Sequence, residues 1–122
     1  MRILLVNPNT TASMTEKAAV AARAVAAAGT EIITATSRMG PVSIEGHYDG
    51  AMALPGLLAE LKDRQAEGYD AAIIACFDDT GLEAARSFCD VPVLGSANPR
   101  LPPPVFWPSA SLWSPRWSVR AC

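Results

Sequence analysis

Apolar and polar positions along the chain fall into two alternating kinds of run. Arg2 to Val6 is a short apolar run and reads as a strand. Asn7-Pro8-Asn9-Thr10-Thr11 follows it and suits neither helix nor strand, so it reads as a loop. Ser13 and Glu16 have the spacing of a capping box, and Met14 to Ala28 is Ala-rich and helical, ended by Gly29. Thr30 to Thr36 is a second strand, β-branched at five of its seven positions. Ser37 to Gly50 is expected to be a long loop, with Gly40, Pro41, Gly46 and Gly50 in it. Ala51 to Ala66 places apolar residues at helical spacing, with Pro55 in the first turn and Gly68 as the stop.

Tyr69 to Ala75 then reads as a buried strand, apolar and free of charge after Asp70. Thr80 and Glu83 form a second capping-box match, so a helix is predicted from about Gly81 to about Cys89. Val91 to Gly95 is a fourth short strand, placed at an edge because Pro92 cannot donate to a ladder. Strands alternating with helices imply an α/β fold: a small parallel sheet flanked by helices and joined by right-handed crossovers. All the strand-to-helix handovers would then open on one edge, where ligands bind in open α/β sheets.

The alternation stops at Gly95. Residues 1–95 are expected to be one α/β domain and 96–122 a low-order tail rich in Pro and Trp. The tail holds all three tryptophans and no acidic residue. Pro102-Pro103-Pro104 cannot be helix or central strand.

Composition narrows the function classes. Half of the residues are hydrophobic, enough for a real core, and 122 residues amount to one domain or part of one. The net charge of -2 gives no electrostatic case for nucleic acid or an anionic membrane. The apolar start ends at Asn7-Pro8-Asn9, too early for a signal peptide or a membrane span. A cytoplasmic protein is expected. Cys76, Cys89 and Cys122 lack metal-ligand spacing and suggest neither a zinc site nor a disulfide framework.

Cys76 sits where the third strand hands over to a helix. A thiol there faces the amides of a helix start, a setting that favours thiolate. The competing reading is a small buried hydrophobe at a strand end. Asn7-Pro8-Asn9-Thr10 is either a substrate loop or a plain helix-entry turn. Asp78 and Asp79 are either a carboxylate pair or groups that complement the helix dipole. His47, the single histidine, is either an acid or base in the neutral pH window or, as is commoner for a lone histidine beside Tyr48 in a loop, a surface or packing residue. Cys89 reads as packing, and Cys122 as a terminal thiol.

Three motifs occur in order: Asn7-Pro8-Asn9-Thr10, Gly40-Pro41-Val42-Ser43-Ile44-Glu45-Gly46, and Ala75-Cys76-Phe77-Asp78-Asp79. Together they resemble the aspartate/glutamate/hydantoin racemase superfamily, in its hydantoin and allantoin racemase branch. The resemblance covers roughly the first three-quarters of the chain. It implies cofactor-independent, two-base proton transfer on a small amino acid derivative. A thiolate takes the Cα proton on one face, and a thiol on the other face returns one. Cysteine suits this chemistry because its free pKa of ~8.5 leaves both forms within reach. The resemblance makes Cys76 one base. It places Asn7, Asn9 and Ser43 near the substrate, with the backbone amides around Phe77 and Asp78 as donors to the developing oxyanion. Family members carry a second α/β half with a second catalytic cysteine, and no residue here matches that cysteine.

The expected function is therefore that of a racemase of hydantoin or allantoin type, crippled by the missing half. The alternatives are an inactive fragment, a non-catalytic small-molecule binding module, or another carbanion reaction at the same thiol. The expected partner is a small molecule, and exposed apolar surface would favour a homo-oligomer. Two readings of the tail stand. Its tryptophans mark a partner surface, or the segment is the family sequence in a shifted frame. Tryptophan has the single codon TGG. With TCN, CCN and CGN for its neighbours, Trp113 to Ser118 regroups into a Val-rich pattern like a strand the family has there.

Overall fold

The computed structural model describes residues 1–97. Its elements are β1 (Arg2–Asn7), α1 (Ala12–Val25), β2 (Glu31–Thr36), α2 (His47–Arg64), β3 (Ala71–Ile74), α3 (Leu82–Phe88) and β4 (Val93–Gly95). A single 3-10 turn, Gln65–Glu67, extends α2. The strands form one parallel sheet in the order β2-β1-β3-β4. The tail, Cys122 included, lies outside the described residues apart from Ser96 and Ala97.

The strand sequences explain the layering. A parallel sheet is covered on both faces, so its central strands are apolar on both sides. Leu4, Leu5 and Val6 of β1 are all buried. Leu4 and Val6 join Ala72 and Ile74 of β3 and Val93 of β4 in the core, against Leu57 and Leu61 of α2 and Leu82 and Ala85 of α3. Leu5 points to the other face, where α1 packs on β1 and β2 and buries Ala19. Each fully buried leucine contributes roughly 1.5–3 kcal/mol relative to an exposed one.

Three expectations about boundaries are corrected. Helix α2 begins at His47, not Ala51, so the preceding loop spans only 37–46. Its first turn is closed by the Gly50 amide on the Gly46 carbonyl (3.0 Å) and by the Asp49 carboxylate accepting from the Glu45 amide (3.1 Å). Pro55 therefore lies inside the helix rather than in its first turn. The burial of Ala53, Gly56, Leu57 and Leu61 along one side carries the helix through it. Neither capping box forms. Thr11 and Gly81 occupy the N-cap positions of α1 and α3, and neither makes a side-chain cap bond. The Thr11 hydroxyl donates instead to the Val42 carbonyl (2.6 Å), and that of Thr80 lies 3.3 Å from the sulfur of Cys76.

Candidate functional site

The sheet register brings the carboxyl ends of the strands together. Asn7 pairs with Thr36, Val6 with Ile74, and Ile74 with Gly95. The Asn-Pro-Asn loop, the loop 37–46, the Cys76 turn and Ser96 all leave from this edge.

The first loop is organised by its own amides. Asn7 is 2% exposed, and the two hydrogens of its Nδ2 are shared among Asn9 Oδ1 (2.8 Å), Thr15 Oγ1 (3.1 Å) and the Thr11 carbonyl (3.2 Å). Its Oδ1 accepts from the Asn9 amide (3.1 Å). Asn9 Oδ1 also accepts from the Thr11 amide (2.9 Å), whereas Asn9 Nδ2 meets only the weak acceptor Met14 Sδ at 3.5 Å among the described residues. Asn7 is thus occupied in holding the loop, and Asn9 keeps a donor available. Ser43 is half-buried in a loop that the first one carries: Thr10 donates its amide to the Pro41 carbonyl (3.0 Å), beside the Thr11 bond to Val42.

Cys76 lies two residues beyond the end of β3 and is half-buried, packed against the edge of the core. Its carbonyl accepts from the Asp79 amide (3.1 Å) and from Ser96 Oγ (2.8 Å), which fixes the backbone that carries the sulfur. The turn then runs through two left-handed residues, Asp79 (φ 48°) and Gly81 (φ 74°). At Gly81 a side chain would be strained by that φ and would also meet Leu57 and Leu54 at 2.7 and 2.8 Å. The expected helix amides do not reach the sulfur: α3 starts only at Leu82, and the group at the sulfur is the Thr80 hydroxyl. Phe77 is 91% exposed. Among the described residues, the amides of Phe77 and Asp78 meet no protein acceptor.

A cleft of about 580 Å³ opens beside this turn, between Asp78, Asp79 and Thr80 on one side and Ile44, His47 and Leu54 on the other. Neither asparagine lines it, nor does Cys76, although Thr80, which does, lies 3.3 Å from the sulfur. A smaller cleft of about 210 Å³ lies over Thr36 and the ion pairs of Arg38 with Glu60 (2.6 Å) and Asp63. Those two carboxylates hold the Arg38 guanidinium above its usual range, Glu60 foremost. No cluster of three or more His, Cys, Asp or Glu suited to a metal occurs among the described residues. No helix there is long and apolar enough to cross a membrane.

Cys89 packs against the core as expected, and burial pushes its thiol up to about 11, with the nearby Asp90 adding to the shift. Sequence reasoning missed Thr80, read as a cap, and the pairing of Asp79 with Gly95. Both depend on how the turn folds back.

Known proteins resemble the chain over most of its length. Residues 3–100 match the family model described as Asp/Glu/Hydantoin racemase. Over 95 residues the chain is 50% identical to a hydantoin racemase of Rhizobium meliloti, covering 78% of this chain and 39% of that protein. It is 45% identical over 97 residues to a hydantoin racemase of Pseudomonas sp. (strain NS671), covering 80% and 39%. The allantoin racemase from Klebsiella pneumoniae superposes with a TM-score of 0.78 at 48% identity, over 80% of this chain and 40% of that one. That from Pseudomonas fluorescens gives 0.68 at 41%, over 78% and 40%. The chain thus spans about two-fifths of the length of these relatives. The family-model match over residues 3–100, with relatives 45% and 50% identical over 80% and 78% of the chain and a parallel α/β backbone shared with solved racemases, makes the chain a member of the Asp/Glu/Hydantoin racemase family.

Proposed function

We propose that this chain supplies one side of a proton-transfer site for hydantoin- or allantoin-type amino acid derivatives, with Cys76 as the base. The observation that carries this is the placement of Cys76: at the ligand-facing edge of the sheet, half-buried, with its backbone pinned by Asp79 and Ser96. The thiolate takes the Cα proton and becomes a thiol, and the electron pair moves onto the adjoining carbonyl as an enolate. The amides of Phe77 and Asp78, without a protein acceptor among the described residues, are the donors next to that charge. Asn9 offers its Nδ2 to the substrate's polar edge, and Asn7 positions Asn9. Ser43 borders the same edge. Inversion needs a base on the opposite face, so this chain alone removes and returns a proton on one face. No cofactor is called for.

A second reading is a binding module without chemistry. The cleft favours it, because Asp78, Asp79 and Thr80 line it and the sulfur does not. Alkylation kinetics resolved by cysteine separate the two readings. A 5-substituted hydantoin should protect Cys76 from iodoacetamide, with Cys89 reacting slowly throughout. A hydantoin that binds but leaves Cys76 alkylation unchanged would favour the module.

A further inference from the structure

We infer that Thr80 is the positioning residue for the Cys76 sulfur, its hydroxyl donating to the thiolate. This rests on the reading of Cys76 as the reacting base. The Thr80 Oγ1 lies 3.3 Å from Cys76 Sγ, within hydrogen-bond range for sulfur. With a neutral thiol either group can donate. Once the sulfur has lost its proton it can only accept, so Thr80 must be the donor.

The fold fixes this hydroxyl rather than leaving it to chance. Thr80 is 8% exposed, and its backbone is held between the two left-handed residues Asp79 and Gly81. That double reversal returns the side chain over Cys76 instead of letting it cap α3, whose N-cap is Gly81. The β-branched side chain is also stiff about χ1. Thr80 also lines the cleft beside the turn.

The charged groups around it do not duplicate this role. Asp78 and Asp79, in the same turn, are acceptor-only as carboxylates and cannot donate to a thiolate. Asp79 directs one oxygen to the Ala97 amide (3.1 Å). From α2, His47 lines the far side of the cleft, and the Asp49 carboxylate is engaged with the Glu45 amide. The segment after β4 contributes Ser96, bonded to the Cys76 carbonyl. Among the described residues, Thr80 is therefore the donor at the sulfur.

The test is the pH profile of Cys76 alkylation in the full 122-residue chain, read by peptide mass spectrometry. Thr80→Val and Thr80→Ala remove the hydroxyl, and Thr80→Ser keeps it. Both hydroxyl-free variants should raise the midpoint by about one pH unit, slowing alkylation about tenfold well below the midpoint. The high-pH plateau should not fall, because a less stabilised thiolate is the better nucleophile. Thr80→Ser should keep the wild-type midpoint, and Cys89 should stay slow throughout. An unchanged midpoint in both hydroxyl-free variants overturns the assignment. So does a rate change at every pH without a midpoint shift, which marks a purely structural role. Failure of the base reading is separate: Cys76→Ser would then leave Cα proton exchange unaltered, whatever Thr80 does to alkylation.

Discussion

The Asp79 carboxylate occupies the space that a side chain on Gly95 would need: a Cβ there would fall 2.0 Å from Asp79 Oδ1. The contact joins the end of β4 to the turn that carries Cys76. It is reinforced by the bond from the Ala97 amide to the same oxygen, so strand and turn are fixed together.

Gly95→Ala should therefore disturb the Cys76 turn from across the sheet edge. The new methyl displaces Asp79, at a cost of roughly 1–3 kcal/mol. Thermal melting should show the loss, and Cys76 alkylation should change while Cys89 alkylation does not. A variant that melts with the wild type would contradict the packing described.

The two early asparagines should separate in their effects. Asn7→Ala removes the amide that links Asn9, Thr11 and Thr15, and should cost about 1–3 kcal/mol in denaturant unfolding. Asn9→Asp keeps the oxygen that accepts from Asn7 and Thr11 but deletes the Nδ2 donor. Its carboxylate sits at the start of α1, where negative charge is favoured. It should fold like the wild type yet lose hydantoin protection of Cys76. Intact protection would remove Asn9 from the substrate's contacts.

Alkaline stability should report on Cys89. Burial raises its thiol from the ordinary 9.0 to about 11 in the folded state, so the unfolded chain ionises first. Stability from this group is complete below pH ~9 and falls as pH rises towards ~11. Tyr69, raised above its ordinary 10.0 chiefly by burial, adds loss at the upper end. Melting temperatures across this range should decline less steeply in Cys89→Ala than in the wild type. Equal slopes would place the thiol in water rather than in the core edge.

Much of the fold was legible because a parallel sheet buries both faces of its strands. Leu4-Leu5-Val6 and Ile73-Ile74 stand out as apolar runs for that reason, and Pro92 correctly marked an edge strand. Helix starts were less legible. Thr11 and Thr80 have the right residue type for capping, but tertiary partners at Val42 and Cys76 take their hydroxyls. The start of α2 was hidden by Gly46 and Gly50, which look like loop residues until packing extends the helix to His47. At the site, Cys76 stands out through the motifs around it, because its place between strand and helix alone suits a small buried hydrophobe equally well. The division of labour between Asn7 and Asn9 was not legible, since spacing does not reveal which amide is already satisfied. Asp79 and Gly95 meet only through the register of β3 with β4.

The central claim is that Cys76 moves the proton on the substrate's Cα. Deuterium incorporation at that carbon, followed by NMR for each enantiomer of a 5-substituted hydantoin in D2O, tests it most directly. The wild-type chain should exchange one enantiomer faster than buffer does and without inverting it, and Cys76→Ser should exchange at the buffer rate. Exchange by Cys76→Ser as fast as by the wild type, or efficient inversion by this chain alone, would contradict it.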